Sequence, residues 1–166
     1  MDRIWKSNKI SLKIKLQLYN SIVLATALYA SETWQVTARI SKKLYVFHQR
    51  CLRRILNISY REHVTNREVL RRCQSHRLQD IVAERRFRLA GHILRLPNER
   101  NAKSAMKWVP IGGKRKNGRL KATWRSSFKK DLALINQSWE TIDVQAADRS
   151  QWKMLSARCA NVRGPD

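Results

Sequence analysis

SKKLYVFHQRCLRRI, residues 41–55, decides the fold class. Leu44, Phe47, His48, Cys51, Leu52 and Ile55 recur at three- and four-residue steps. At about 100° per residue these six share one face of a helix, while Lys43, Arg50, Arg53 and Arg54 fall on the other. Ser41 can cap the start, because its hydroxyl accepts from a first-turn amide. Such a segment packs on one side and leaves the other free to bind.

The same period continues outward in both directions. Upstream, Ser11 can cap a helix running to about Ala30, nearly apolar all round from Ile22, which implies burial on more than one side. Downstream, Thr65-Asn66-Arg67-Glu68 is a capping-box pattern opening a short helix with Val69 and Leu70. The next helix is predicted from about Arg77 to Leu94, stopped by Pro97. Leu78, Ile81, Val82, Leu89 and Ile93 line one of its faces and Ala83, Phe87, Ala90 and Leu94 another, so it reads as sandwiched. Arg85 and His92 project from the first stripe and read as snorkelling or internally hydrogen-bonded. Trp124, Phe128, Leu132 and Ile135 form a further stripe, and Ser138 and Asp148 can cap two more helices whose Trp139 and Trp152 read as core anchors. The chain is read as all-α.

Charge gives the first functional statement. The sequence holds 35 Lys and Arg against 12 Asp and Glu, a net charge of +23. Residues 1–125 carry 29 of those cations against 7 acids, and 126–166 carry 6 against 5, so a basic body ends in a nearly neutral cap. A surplus of this size attracts polyanions. Arginine doublets at Arg53-Arg54, Arg71-Arg72 and Arg85-Arg86 lie between apolar residues, and the guanidinium fork grips phosphate bidentately. Between Trp108 and Arg119, glycines flank Lys114-Arg115-Lys116 in what reads as a flexible basic linker. It is not a nucleotide-binding phosphate loop, because no Ser or Thr follows a Gly-Lys. The candidate nucleic-acid contacts are Lys43, Arg50, Arg53, Arg54, Arg71, Arg72, Arg86, Arg88, Lys114, Arg115, Lys116, Arg119 and Lys121.

Catalytic signals are missing. The aspartates stand singly, with no paired carboxylates for magnesium and no glycine-framed Ser or Cys with a His partner. No catalytic residue and no cofactor is assigned. His48 with Cys51 and Cys73 with His76 copy the spacing of zinc ligands. His48 and Cys51 already occupy an apolar helix face, however, and turn-forming glycines are lacking, so no metal site is assigned. Three widely spaced cysteines do not describe a disulfide framework and suggest a reducing, intracellular location, nuclear or cytoplasmic rather than secreted. Lys9, Lys13 and Lys15 before Ile22 superficially copy a secretory leader, but Gln17, Asn20 and Ser21 interrupt it. No stretch is long enough to span a membrane, and no membrane partner is expected.

Five blocks in order carry a resemblance: LQLYNSIVLATALYASETW (17–34), FHQRCLRRILNISYREHVTNREVLRR (47–72), ERRFRLAGHILRLPNER (84–100), GKRKNGRLKATW (113–124) and SWETIDVQAADRSQW (138–152). Together they resemble the region after the catalytic palm in the endonuclease–reverse transcriptase proteins of non-LTR (LINE-like) retrotransposons, over about residues 9–158. The resemblance implies thumb-like helices over 1–58, basic post-thumb helices over 59–107, a basic Gly-containing linker over 108–120 and a small helical cap over 121–166. It implies a non-catalytic segment, since the family's paired-aspartate palm and its endonuclease lie upstream and neither motif is in this sequence. The implied partners are RNA or DNA, held by phosphate contacts on an A-form or hybrid duplex with little base readout, and the upstream palm. Without that palm, Ile22 to Tyr29 should form an apolar patch that promotes self-association. The family usually has Tyr-Gly-Ser-Glu at Tyr29-Ala30-Ser31-Glu32, and a Pro where Leu120 stands. Ala30 weakens the case for a tight turn there, and Leu120 loosens the linker. On charge and helices alone, a stand-alone small basic RNA-binding or packaging protein is the alternative.

Overall fold

The computed structural model describes residues 2–108 and 123–162, and every regular element among them is helical. The elements are α1 (Asp2–Lys6), α2 (Leu12–Leu18), a π-helical turn (Tyr19–Leu24), α3 (Ala25–Ala27), α4 (Ala38–Ile55), α5 (Asn66–Arg72), α6 (Leu78–Leu94), α7 (Asn101–Lys107), α8 (Trp124–Leu134), α9 (Ile142–Ala147) and α10 (Arg149–Val162). Apart from Trp108, the expected linker lies outside the described residues. Two compact units result, one from residues up to 31 with 38–82, the other from 32–37 with those from 83 onward. The division falls within α6.

In the first unit the Ser11 hydroxyl accepts from the Ile14 amide and caps α2 as expected. The π-helical turn inserts one residue, so Ile14 and Ile22, eight apart, lie two turns apart on one side. Both are about half exposed, as Tyr29 is more fully, while Tyr19, Leu24 and Leu28 are buried. The helix is therefore buried on one side rather than on several. Ala30 adopts φ 53°, so the tight turn forms in spite of its methyl group. Left-handed backbone costs a residue with a Cβ about 1–2 kcal/mol.

The helix α4 starts at Ala38, three residues before Ser41, whose carbonyl instead accepts from Gln79 Nε2. Its buried face is centred on His48, Gln49, Leu52 and Ile55, with Leu44, Phe47 and Cys51 at the margin. Thr65 caps α5 by accepting from the Glu68 amide, but the Glu68 carboxylate turns outward to Arg71 and Arg72, so only half of the expected box forms. A complete box stands at Ser59 and Glu62. Three helices close on left-handed residues that are not glycine. Asn57, Gln74 and Asn136 let the next amide reach back to Arg53, Leu70 and Leu132 respectively.

The second unit is built around Ala83, Phe87, Ala90 and Leu94 of α6, packed with Phe128 and Leu132 of α8, Ile135, and Ile142, Ala146 and Trp152 further on. The second apolar stripe of α6 is thus the core-facing one. The Trp152 indole donates to the Phe87 carbonyl at 2.8 Å. Gly91 makes this possible, since a Cβ there would stand 2.1 Å from Trp152 Nε1. Asp148 caps α10, accepting from the amides of Ser150 and Gln151 as its position suggested.

Candidate nucleic-acid interface

An arginine already bound inside the fold is a poor ligand for an outside phosphate, so the candidate contacts separate by their internal partners. Arg86, expected on a binding face, is instead 2% exposed and ion-paired with Asp131 in the core. Arg85, expected to point inward, is half-buried. The reason is that α6 buries its Phe87 stripe, which carries the Arg86 side rather than the Arg85 side inward. Arg53 donates to the Val64 carbonyl at 2.6 Å and to Asn66 Oδ1 at 2.7 Å. Asn66 in turn donates to the Tyr45 hydroxyl. Arg53 therefore ties the segment before α5 onto α4, and the first doublet leaves only Arg54 exposed.

Arg71 and Arg72 are exposed but bracket Glu68 at 2.7 and 2.8 Å. Hydrogen bonds from Arg71 and then Arg72 hold the Glu68 carboxyl down at about 2. Arg88 is exposed and paired with Glu84 one turn back. Lys114, Arg115, Lys116, Arg119 and Lys121 lie outside the described residues.

What remains is concentrated on α4. Arg39, Lys42, Lys43 and Arg50, with Val46 and Phe47 as an apolar floor, line an open groove of about 410 Å³. The helix contains no acidic residue. None of these four side chains has a hydrogen bond or ion pair with another described residue. From Arg39 to Arg50 the row runs about 16 Å at 1.5 Å per residue. Lys43 and Arg50 were legible as helix-face cations; Arg39 and Lys42 were missed. Steps of 39, 43, 46 and 50 carry the same period, but Arg39 joins them only once α4 is started at Ala38.

The groove can hold phosphates on its cations and an apolar surface of sugar or base on Val46 and Phe47. The nearest approach to an acid–base pair in this unit is structural instead. Ser75 Oγ lies 3.2 Å from His48 Nε2, which suggests a nucleophile and its base. That nitrogen also faces the His76 carbonyl at 3.1 Å, and a carbonyl only accepts, so Nε2 carries the proton. Nδ1 accepts from the Tyr19 hydroxyl at 2.8 Å. His48 is thus a buried clip, and burial lowers its pKa to about 4. Burial likewise pushes the Cys51 thiol up, and Cys73 to about 11, away from the thiolate a metal needs. Among the described residues no group of three or more His, Cys, Asp or Glu could hold a metal ion. No helix among them is long and apolar enough to cross a membrane.

The chain is similar to a transposon-derived protein. An uncharacterized protein of Caenorhabditis elegans, described as transposon-derived, is 30% identical over 153 residues, 88% of this chain and 55% of the relative. The chain therefore spans about half the length of the relative it matches. This similarity fits a transposon-related origin. No protein-family profile and no solved structure matches the chain.

Proposed function

We propose that the chain is a non-catalytic, nucleic-acid-gripping segment of a non-LTR retrotransposon reverse transcriptase, in which the α4 groove tracks the phosphates of RNA template, primer–template duplex or target DNA. The observation that carries this reading is the row Arg39, Lys42, Lys43 and Arg50, whose side chains have no partner among the described residues, on a helix without acids. Unpaired cations release the counterions of the phosphates they meet, which drives binding without reading sequence. The five ordered sequence blocks and the transposon-derived relative support the origin. Polymerisation would belong to a palm domain supplied by the rest of such a protein, because no paired-aspartate motif occurs in these residues.

The test is the variant Lys42→Gln/Lys43→Gln/Arg50→Gln in the full chain. Because three cations no longer meet phosphates, RNA affinity near 0.15 M salt should fall on the order of 50-fold, alike for unrelated sequences. Arg71→Gln/Arg72→Gln, whose arginines are engaged by Glu68, should cost less. Unchanged affinity in the triple variant would remove the groove from the interface, and a changed sequence preference would make it a base reader.

A further inference from the structure

We infer that the second unit carries a phosphate-binding cleft of its own, formed by His92, Arg95, Arg100 and Arg149, that takes the backbone of a nucleic-acid strand. The inference rests on the reading of the chain as a nucleic-acid binder but not on the α4 groove. Its construction begins with Gly91. Because Gly91 has no Cβ, the Trp152 indole seats directly on α6. Arg149 precedes Trp152 by one turn on α10, so the same docking sets Arg149 beside His92 and Arg95. These three with Leu96 line a cavity of about 370 Å³. A second cavity of about 460 Å³ shares His92 and Leu96 and adds Glu99, Arg100, Asn101 and Ala102. The two therefore adjoin across His92 and Leu96.

The charges of the cleft are available. His92, expected to be snorkelling or internally bonded, is exposed, as are Arg100 and Arg149. None of the three has a side-chain hydrogen bond or ion pair with another described residue. Arg95 is steadied by donating from Nη1 to the Ala146 carbonyl at 3.0 Å, which leaves its remaining donors free to face the cavity. Two carboxylates lie nearby. Asp148 is turned onto the Ser150 and Gln151 amides and does not pair with Arg149. Glu99 lines the second cavity and is the one acid there among the described residues. Three arginines and a histidine around a concave surface with a single opposing carboxylate match a phosphodiester backbone, and two joined cavities suit consecutive phosphates better than one isolated ion.

The experiment is a salt titration of full-chain binding to a labelled single-stranded RNA, comparing three variants. Arg100→Gln/Arg149→Gln should reduce the magnitude of the slope of log affinity against log salt by about 1.4, the share of two phosphates on a single strand. Lys130→Gln/Lys153→Gln removes the same charge from exposed positions outside the cleft and should change the slope by less than half of that. Arg100→Lys/Arg149→Lys keeps the charge and should restore most of the slope, which shows that a loss in the Gln pair is not misfolding. If the cleft pair and the control pair behave alike, or neither differs from the parent chain, the cleft is overturned. The α4 triple variant read in parallel separates the two sites: a loss there with none in the cleft pair removes only the cleft, and the reverse removes only the groove.

Discussion

Replacing Gly91 with alanine sets two effects of opposite sign against each other. In a helix interior, alanine is favoured over glycine by about 1 kcal/mol, so local propensity predicts a more stable protein. Packing predicts the opposite. The added Cβ would lie 2.1 Å from Trp152 Nε1, 2.4 Å from Cδ1 and 2.8 Å from Cε2, all closer than real Cβ contacts. The indole is 3% exposed, packs on Phe87 with centroids 5.7 Å apart and donates to the Phe87 carbonyl. It can neither remain nor shift without losing that bond. Removing a buried tryptophan costs about 3–5 kcal/mol and overpacking about 1–3 kcal/mol, so after the helix gain a net loss of about 2–4 kcal/mol is expected. Urea unfolding of the full chain, followed by tryptophan fluorescence and by helix signal, measures it. In a Trp152→Ala background the clash is gone, and Gly91→Ala should become neutral or stabilising by up to about 1 kcal/mol, a coupling of roughly 3 kcal/mol. A Gly91→Ala protein as stable as its parent would refute the seating of Trp152 on α6, and with it the placement of Arg149 beside His92.

At the turn after α3 the same logic runs backwards: Ala30→Gly, relieving φ 53°, should stabilise the chain by about 1 kcal/mol in the same assay, and a loss would contradict the left-handed turn. Stability should also depend on pH between about 6.5 and 4. The unfolded His48 takes up a proton in that window while the buried ring stays neutral, so stability is present above 6.5 and drops as pH falls, by up to about 3 kcal/mol. A His48→Gln chain should lose that part of the dependence, and an unaltered pH profile would contradict the Tyr19–His48–His76 clip. Ile14 and Ile22, exposed on one helical segment, with exposed Tyr29 in the turn after α3, should drive self-association of the chain at micromolar concentration and above. A monodisperse monomer by light scattering would count against that.

The helices were legible because burial imposes a 3.6-residue period, and α6 and the stripe of Phe128, Leu132 and Ile135 could be placed from it. The choice between the two arginines at 85 and 86 could not. The helix α6 carries two apolar stripes, and the partner that takes Arg86 inward, Asp131, lies 45 residues away in sequence. Arg53 was misplaced for the same reason, since its partners Val64 and Asn66, at the start of α5, lie 11 and 13 residues away in sequence. The cleft around His92 was illegible as a site, yet its cause had a signal. A glycine inside a strong helical pattern, as at Gly91, usually marks a close approach by something bulky. Arg39 was lost to an error of three residues in a helix start, the least determinate feature of any periodic reading, whereas Lys42 lay inside the helix as read and was left off its outer face.

The central claim, that the groove cations on α4 hold nucleic-acid phosphates, is tested most directly by the salt dependence of RNA binding to the unmodified full chain. The account predicts a linear fall of log affinity with log salt, with a slope of about −3 or steeper from the four groove cations alone. A slope near zero, or no binding at low salt, would contradict it.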